Sequence, residues 1–509
     1  MTDVATETYV RRELVEQRAA PISTTGLIGW LRTRLFASPG YVLLTIVCAL
    51  VLYFTIVPAL RFAIIDAVWT GHDRTACLAE TVGHPVGACW PFIWTKLYQF
   101  LYGFYPQEQL WRPNLVFVIA ALLLAPLLIP RAPAKGLNAM LFFIAFPVVA
   151  FFLLHGGGIS SFGMSWFADV LATIVGSISD AGARLVATGA SRNIAGLSDL
   201  VWLLGQAIAG IGTFLGFIIK PFTWLRDALQ ASSQPVWFDF ALTAVIVSGL
   251  MFVLNGGTRS GGRALVLTLA SFVGIGLVIA VMGLAHGGLP IVDTRSWGGL
   301  LVTLVVSVTG IVTSMPIGMA LALGRRSEIP LIKTFSIAFI EFWRGVPLIT
   351  VLFFATYMLP LFLPANFTVD GMVRVLVGVA LFSGAYNAEV IRGGLAAIPR
   401  GQAEAASALG LSYWKTTFLV VMPQALRHVI PGLVNSFIAL FKDTTLVLIV
   451  AIFDLLGSLR ASFADPVWST PSTLFTGFTF AGIIYFVFCF AMSRYSLSVE
   501  RRLNAHRRT

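Results

Sequence analysis

The chain reads as an all-α polytopic membrane protein of about ten spans with both termini in the cytoplasm, and three features of the sequence carry that reading. Hydrophobic residues make up 57% of its 509 residues and Asp, Glu, Lys and Arg only 11%, with a mean hydropathy of +0.87; a soluble domain would carry about twice that share of charge. Apolar runs long enough to cross a bilayer recur from Tyr41 to Met492. The 34 Lys and Arg, against 23 Asp and Glu, gather in short clusters at the ends of those runs, which marks cytoplasmic loops rather than a nucleic-acid face. Membrane lipid is an expected partner, and nucleic acid is not.

Residues 1–40 form a polar, basic tail with Arg11, Arg12, Arg18, Arg32 and Arg34 and no signal-peptide pattern, so the N-terminus stays inside. Tyr41–Leu60 crosses outward, 61–113 is an external loop, Asn114–Pro130 returns, Arg131 and Lys135 mark a cytoplasmic turn, and Asn138–Leu154 goes out again. Residues 41–154 are thus a unit of three spans. Cys77 and Cys89 share the external loop, where a bridge between them would add roughly 3 kcal/mol of local constraint; pairing and free thiols are both open. Cys48 and Cys489 lie inside apolar runs and read as small packing residues.

The stretch 297–493 can be counted independently. Trp297–Leu323 runs into Arg325 and Arg326, an inside mark; the segment to Leu363 goes out, Val373–Ala388 returns, 389–423 is inside, Pro431–Val450 goes out, and Leu474–Met492 comes in to a basic tail, 494–509. Residues 155–296 must therefore start and end outside. Phe238–Leu254 and Ala264–Ala285, joined by a turn with Arg259 and Arg263, supply one pair of crossings. Segment 159–236 mixes Asp169, Asp180, Arg184, Arg192, Asp199, Lys220, Arg226 and Asp227 with apolar residues at helical spacing. It is read as amphipathic helices on the outer face of the membrane, with a re-entrant or spanning 201–219 as the alternative. Leu153-Leu154-His155-Gly156-Gly157 and Leu284-Ala285-His286-Gly287-Gly288 echo one another, so 238–285 is either a duplicate of 115–154 or a chance likeness.

Segment 389–423 demands a function, because about 35 polar, Ala-rich residues far exceed what a turn between spans needs. Pro399-Arg400-Gly401 breaks the chain, Gln402–Leu409 is a run of helix formers, Gly410 stops it, and Ser412 can cap a second helix reaching toward Pro423. Ala403, Ala405, Ala406 and Ala408 leave a low-relief surface and Glu404 one charge. A helix so short needs something packed on it, and a protein partner can press close to this one.

Glu404-Ala405-Ala406, Gly410, Val420, Met422 and Pro423 resemble the EAA loop of ABC-transporter permease subunits, departing only at Val420 and Met422, where Ile and Leu are usual. Arg344-Gly345-Val346-Pro347-Leu348 resembles the RGxPL motif of permeases for polar amino acids, and Lys442-Asp443-Thr444-Thr445-Leu446 their KDTSL motif, with Thr445 in place of Ser. The first three spans and Gly87-Ala88-Cys89-Trp90 also resemble the larger permease subunit of the general L-amino-acid uptake systems, the AapM-like group. In that group Leu154 would run almost directly into Gly287, so residues 155–286 are a departure. The resemblance implies a type I importer transmembrane fold in the bacterial inner membrane, a second permease subunit, two copies of an ATPase subunit and a periplasmic amino-acid-binding protein. It makes 389–423 the coupling loop, with Gln402, Glu404, Ala405, Ala406, Gly410 and Pro423 engaging the ATPase. No GxxxxGK[ST] sequence occurs in the chain, so no cofactor is expected on it, and ATP and Mg belong on the partner subunit.

Ionisable groups inside spans are the remaining candidates, since each is costly unless it faces protein or water. Lys442, Asp443 and Thr444 fall within a span, with Asn435 on the helix face of Lys442. A cation, an anion and an amide can receive both ends of an amino acid; the alternative is a span-to-span polar contact. Lys333–Pro364 would measure about 48 Å as one helix against a bilayer core of about 30 Å, so it should break or tilt, with Gly345 and Pro347 marking the place. Glu341 and Arg344 share a face there and can pair, Arg344 being either an interfacial anchor or a substrate contact. Glu389, Arg392 and Arg400 position the loop or meet the partner. No catalytic or metal-binding residue is assigned. The expected function is the permease subunit of an ATP-driven importer of L-amino acids, polar or broad in range. An ion-coupled secondary transporter and a non-transporting membrane scaffold or sensor are the alternatives.

Overall fold

The computed structural model describes residues 26–129, 132, 135–158, 163–191, 197–232, 234–254, 259–283, 289–362 and 369–503. Arg11, Arg12, Arg18, Arg131, Arg192, the span end at Leu363, the Leu284–Gly288 half of the echo, and Arg507 and Arg508 lie outside the described residues. Among those described, the chain is helical, with isolated bridges and no strand.

A short helix α1 (Gly26–Arg34) leads to α2 (Pro39–Leu60), which starts where the Ser38 hydroxyl accepts the N–H of Tyr41 and Pro39 fills the first turn. Next come α3 (Trp90–Tyr102), α4 (Trp111–Leu128), α5 (Phe146–His155), α6 (Gly163–Ser191), α7 (Leu197–Gln230), α8 (Pro235–Leu254) and α9 (Arg259–Val278). The last part of the chain carries α10 (Gly299–Arg325), α11 (Pro330–Gly345), α12 (Leu348–Phe353), α13 (Gly371–Ala396), α14 (Arg400–Ala408), α15 (Met422–Asp443), α16 (Leu455–Ser462) and α17 (Pro471–Leu503).

Among the described residues nine helices are long and apolar enough to cross a membrane, ten if Pro330–Gly345 and Leu348–Phe362 form one broken span. Those two are bent by 101° at Gly345–Pro347, where the sequence places the break. Pro347 stands just before α12 and its ring excludes a helical residue ahead of it. The membership of the set differs from expectation. Leu141–His155 and Pro235–Leu250 are shorter apolar helices, whereas Gly163–Ala190 and Ser198–Gln230 reach spanning length.

The segment expected as amphipathic helices on the outer face, or as a re-entrant or spanning 201–219, forms a long antiparallel hairpin, α6 against α7. Glycines let the two backbones meet: a Cβ on Gly205 would sit 2.6 Å from the Val186 nitrogen, one on Gly189 2.7 Å from that of Trp202, and one on Gly212 2.9 Å from that of Ser179. Close contact of this kind supplies dispersion energy where apolar burial alone cannot drive association. Part of the charge that suggested a surface location is paired, with Arg226 2.9 Å from Asp169 and 2.8 Å from Asp227. The buried Asp239 carboxylate on α8 accepts the N–H groups of Met164 (2.8 Å) and Ser165 (3.1 Å), fixing the start of α6.

The chain divides into two compact units. One takes Met1–Trp94 with Pro466–Thr479. In it α2 buries none of its residues, and Cys77 and Cys89 are joined by a disulfide with their Cα atoms 5.8 Å apart. The Cys89 N–H donates to Thr476 Oγ1 at 2.8 Å. The other unit runs from Thr95 to Asp465 and from Phe480 onward. Its core has two apolar clusters, one including Tyr105, Leu154, Trp297, Leu352, Val379 and Leu440, the other Ile340, Ile391, Leu395, Met422 and Val429. The second cluster ties α11, α13 and α15 together directly beneath the segment that carries α14.

Candidate functional site

Helix α14 begins after Pro399 and ends at Leu409, where Gly410 turns the chain with φ +77°. The Gly410 N–H reaches the Ser407 carbonyl (2.9 Å) and the Leu411 N–H that of Ala406 (3.2 Å), satisfying carbonyls the helix end would leave bare. Ala406 is buried and holds the helix down, while Gln402, Glu404, Ala405, Ser407 and Ala408 are exposed. Gln424 Nε2 donates to Gln402 Oε1 at 3.1 Å, bracing the start of the lug against the following helix.

Two expectations for this loop are corrected. Ser412 holds the capping position of the next helix, but its side chain makes no capping bond. That helix also neither ends near Pro423 nor restarts at Pro431, for Tyr413–Val450 is one spanning-length helix. A wide π turn, Thr416–Val421, precedes Pro423 and puts it in the first turn of α15, where a missing N–H costs little. Pro423 is therefore a joint inside a continuous rod.

Behind the lug, four charged side chains tie three helices. Arg325 of α10 lies 3.0 Å from Glu341 of α11 and 3.6 Å from Glu389 of α13, and Glu389 also accepts from Arg392 Nε at 2.9 Å. The expected Glu341–Arg344 pair is absent. Glu341 turns to Arg325, and the Arg344 guanidinium sits 5.7 Å from the centre of the Tyr386 ring. A partner reaching over from an adjacent helix competes well with one at the last turn of α11, next to the break. Arg400 is exposed at the start of α14.

On α15, Asn435, Ala439 and Lys442 are exposed on one face, and Lys442 makes no ion pair among the described residues. Asp443 is half-buried. Thr444 is turned into the chain's own core, its hydroxyl donating to the Phe441 carbonyl at 2.8 Å, so it does not share that open face. The stripe lies on the rod Tyr413–Val450, which follows the lug after the turn at Gly410.

Residues 314–505 match the family described as the binding-protein-dependent transport system inner membrane component. The inner membrane amino-acid ABC transporter permease protein YhdY of Escherichia coli K12 is 35% identical over 490 residues, covering 96% of each chain. The glutamate/glutamine/aspartate/asparagine transport system permease protein BztC of Rhodobacter capsulatus is 37% identical over 505 residues, covering 98% of this chain and 99% of its own. The chain belongs to the amino-acid ABC-transporter permeases. A crystal structure of an amino acid ABC transporter with histidines, 29% identical, covers 40% of this chain and 92% of that one with a TM-score of 0.36. The permease is thus a multi-pass protein of the bacterial inner membrane and the non-catalytic membrane subunit of an amino-acid importer.

For a permease of this family, the residues that sequence reasoning missed are instructive. Leu409 is 83% exposed and Trp414 61% exposed on either side of Gly410, with the Trp414 ring stacked on Phe418. Large apolar side chains in a segment outside the bilayer are contact candidates, and their position in the polar loop was the available signal. The roles of Arg325 and Gln424 needed the fold.

Proposed function

We propose that α14 is the seat of a separate ATPase subunit, which holds ATP and Mg, and that its movement reaches the cargo through the rod Tyr413–Val450. The observation carrying this reading is the continuity of that helix with an exposed, small-residue lug at its cytoplasmic end. Low relief at Ala405 and Ala408 lets a partner approach the backbone, Leu409 and Trp414 supply apolar anchors, and Glu404 supplies the charge. Two ATPase copies would then act on this chain and on a second permease subunit, with a periplasmic binding protein delivering L-amino acids from outside. An open face bearing Asn435 and an unpaired Lys442 is costly against lipid, which favours its being covered by the second permease with the path between them. A cation and an amide suit polar amino acids with a free carboxylate, the class named for the relative BztC. Glu341 and Arg344, engaged with Arg325 and Tyr386, act as braces of the inner ends instead. An ion-coupled transporter or a scaffold would leave α14 without an occupant.

The test is copurification followed by uptake. Glu404→Lys and Gly410→Asp should lose the ATPase chains while the permease remains in the membrane. Lys442→Met should retain them yet cut uptake of labelled glutamate, glutamine, aspartate and asparagine by about ten-fold or more, the effect of losing one charged partner in a desolvated site. Full ATPase retention in both loop variants would remove the docking assignment, and unchanged uptake in Lys442→Met would remove the path.

A further inference from the structure

We infer that Arg112, at the outer end of α4, anchors an anion site that nothing in the known chemistry of the importer requires, and that it takes a carboxylate or another small monovalent anion. Arg112 is fully buried within a helix of spanning length, Gln107–Leu128. Its Nη1 donates to the Pro290 carbonyl at 2.8 Å, while Nε and Nη2 meet no acceptor. Those two N–H groups form one edge of the guanidinium, the edge that matches the two oxygens of a carboxylate. No acidic side chain among the described residues pairs with it, and its other neighbour is the Trp111 ring, 5.9 Å from Cζ.

The surroundings repeat the same deficit. Tyr105 lies beside Arg112 and offers it a neutral oxygen but no counter-charge, its hydroxyl donating to the Leu154 carbonyl at 2.9 Å. Buried His155 Nδ1 and Trp297 Nε1 likewise have no partner. Both belong to this knot: the His155 carbonyl accepts the Val292 N–H at 2.8 Å, and Trp297 packs in one cluster with Tyr105, Leu154 and Val292. A buried guanidinium without a counter-charge costs several kcal/mol, and a bound anion removes that cost. Pro290 and Ile291 are exposed above Arg112, held by the Arg112 bond and by Gly157 N–H to the Leu289 carbonyl (2.8 Å) and Val292 N–H to His155. An anion therefore enters as Leu289–Val292 lifts. The charge pattern puts this end of α4 outside, where two sources offer the same chemistry: a free ion such as chloride or formate, or the α-carboxylate of the cargo. Only the second source rests on the proposed importer function.

The test is the unfolding midpoint of the purified full-length permease with its partner subunits, at constant low ionic strength, titrated with sodium chloride, sodium formate, L-glutamine or L-glutaminamide. Without added anion, Arg112→Met, similar in length and uncharged, should unfold at or above the wild-type midpoint. With saturating anion the wild type should rise past it while the variant stays still. Arg112→Lys, which keeps the charge without the two-pronged edge, should need about ten-fold more formate for the same rise. In a Lys442→Met background, a rise with glutamine and none with glutaminamide assigns the site to the cargo; a rise with chloride or formate alone assigns it to a free ion. A deficit of Arg112→Met that is the same with and without anion, or equal anion responses in wild type and variant, overturns the site. Failure of the transport assignment would show separately, as full ATPase retention in Glu404→Lys and Gly410→Asp, whatever the anion response of Arg112.

Discussion

At Gly410 the backbone sits at φ +77°, and nothing lies within 4 Å of where a Cβ would be. The need for glycine there is conformational, so Gly410→Ala costs about 1–2 kcal/mol through the left-handed φ alone, enough to weaken retention of the ATPase by about ten-fold in a binding titration while the permease stays folded. Asp454 poses the opposite problem. It is buried at the start of α16, accepting the N–H groups of Leu456 and Gly457 and the Tyr485 hydroxyl. Burial raises its carboxyl above the ordinary range, and the capping bonds only partly offset this. The folded chain therefore holds that proton more tightly than the unfolded chain, so stability falls as pH rises from the ordinary carboxyl value through the raised one, and is flat above it. Asp454→Asn keeps a capping acceptor and has no charge to bury. Its unfolding midpoint should equal or exceed the wild type at neutral pH, with the gap closing in acid; a wild-type advantage that grows with pH would contradict the assignment.

Elements were legible where local chemistry decides and illegible where a partner does. Gly345 is a poor helix former and Pro347 both lacks an N–H and disfavours a helical residue before it, so the break between α11 and α12 could be read directly. Pro423 and Pro431 carry the same signal and misled: Pro423 sits in the first turn of α15 after the π turn Thr416–Val421, and the helix continues through Pro431. The lug α14 was readable from Ala-rich composition and Gly410, whereas Arg325 as the partner of Glu341 required knowing that α10 lies beside α11. The pairing of α6 with α7 was illegible for a related reason: Arg226 and Asp169 are far apart in the sequence and meet only after the helices pair. That pairing depends on glycine. Gly205→Leu must push α7 away from Val186, and limited proteolysis should then cut inside α6 or α7 at protease levels the wild type withstands, while α14 still binds its ATPase.

Across the whole chain the decisive quantity is the parity of crossings. Three spans before residue 155 and five after 296 place both ends and the α14 lug inside only if 155–296 contributes an even number. The hairpin α6–α7 and the pair α8–α9 each satisfy this, and in sequence Arg192 falls between the first two helices while Arg259 and Arg263 open α9. A hairpin crossing fully puts Ser191, at the end of α6, in the cytoplasm, whereas a hairpin lying on the outer face leaves it outside. The helix lengths favour the first: Gly163–Ala190 has 28 residues, about 42 Å of rise against an apolar core of about 30 Å. With Cys48 and Cys489 replaced and Cys77–Cys89 left bonded, single cysteines at Ser191, Ser407 and Ser232 can be probed with a membrane-impermeant maleimide in oriented vesicles. Ser191→Cys and Ser407→Cys should react only from the cytoplasmic side and Ser232→Cys only from the other. Labelling of Ser191→Cys from outside, with Ser407→Cys still inside, would lay the hairpin on the outer surface and leave the coupling rod untouched. Labelling of Ser407→Cys from outside would undo the transmission of ATP-driven movement through α14 altogether.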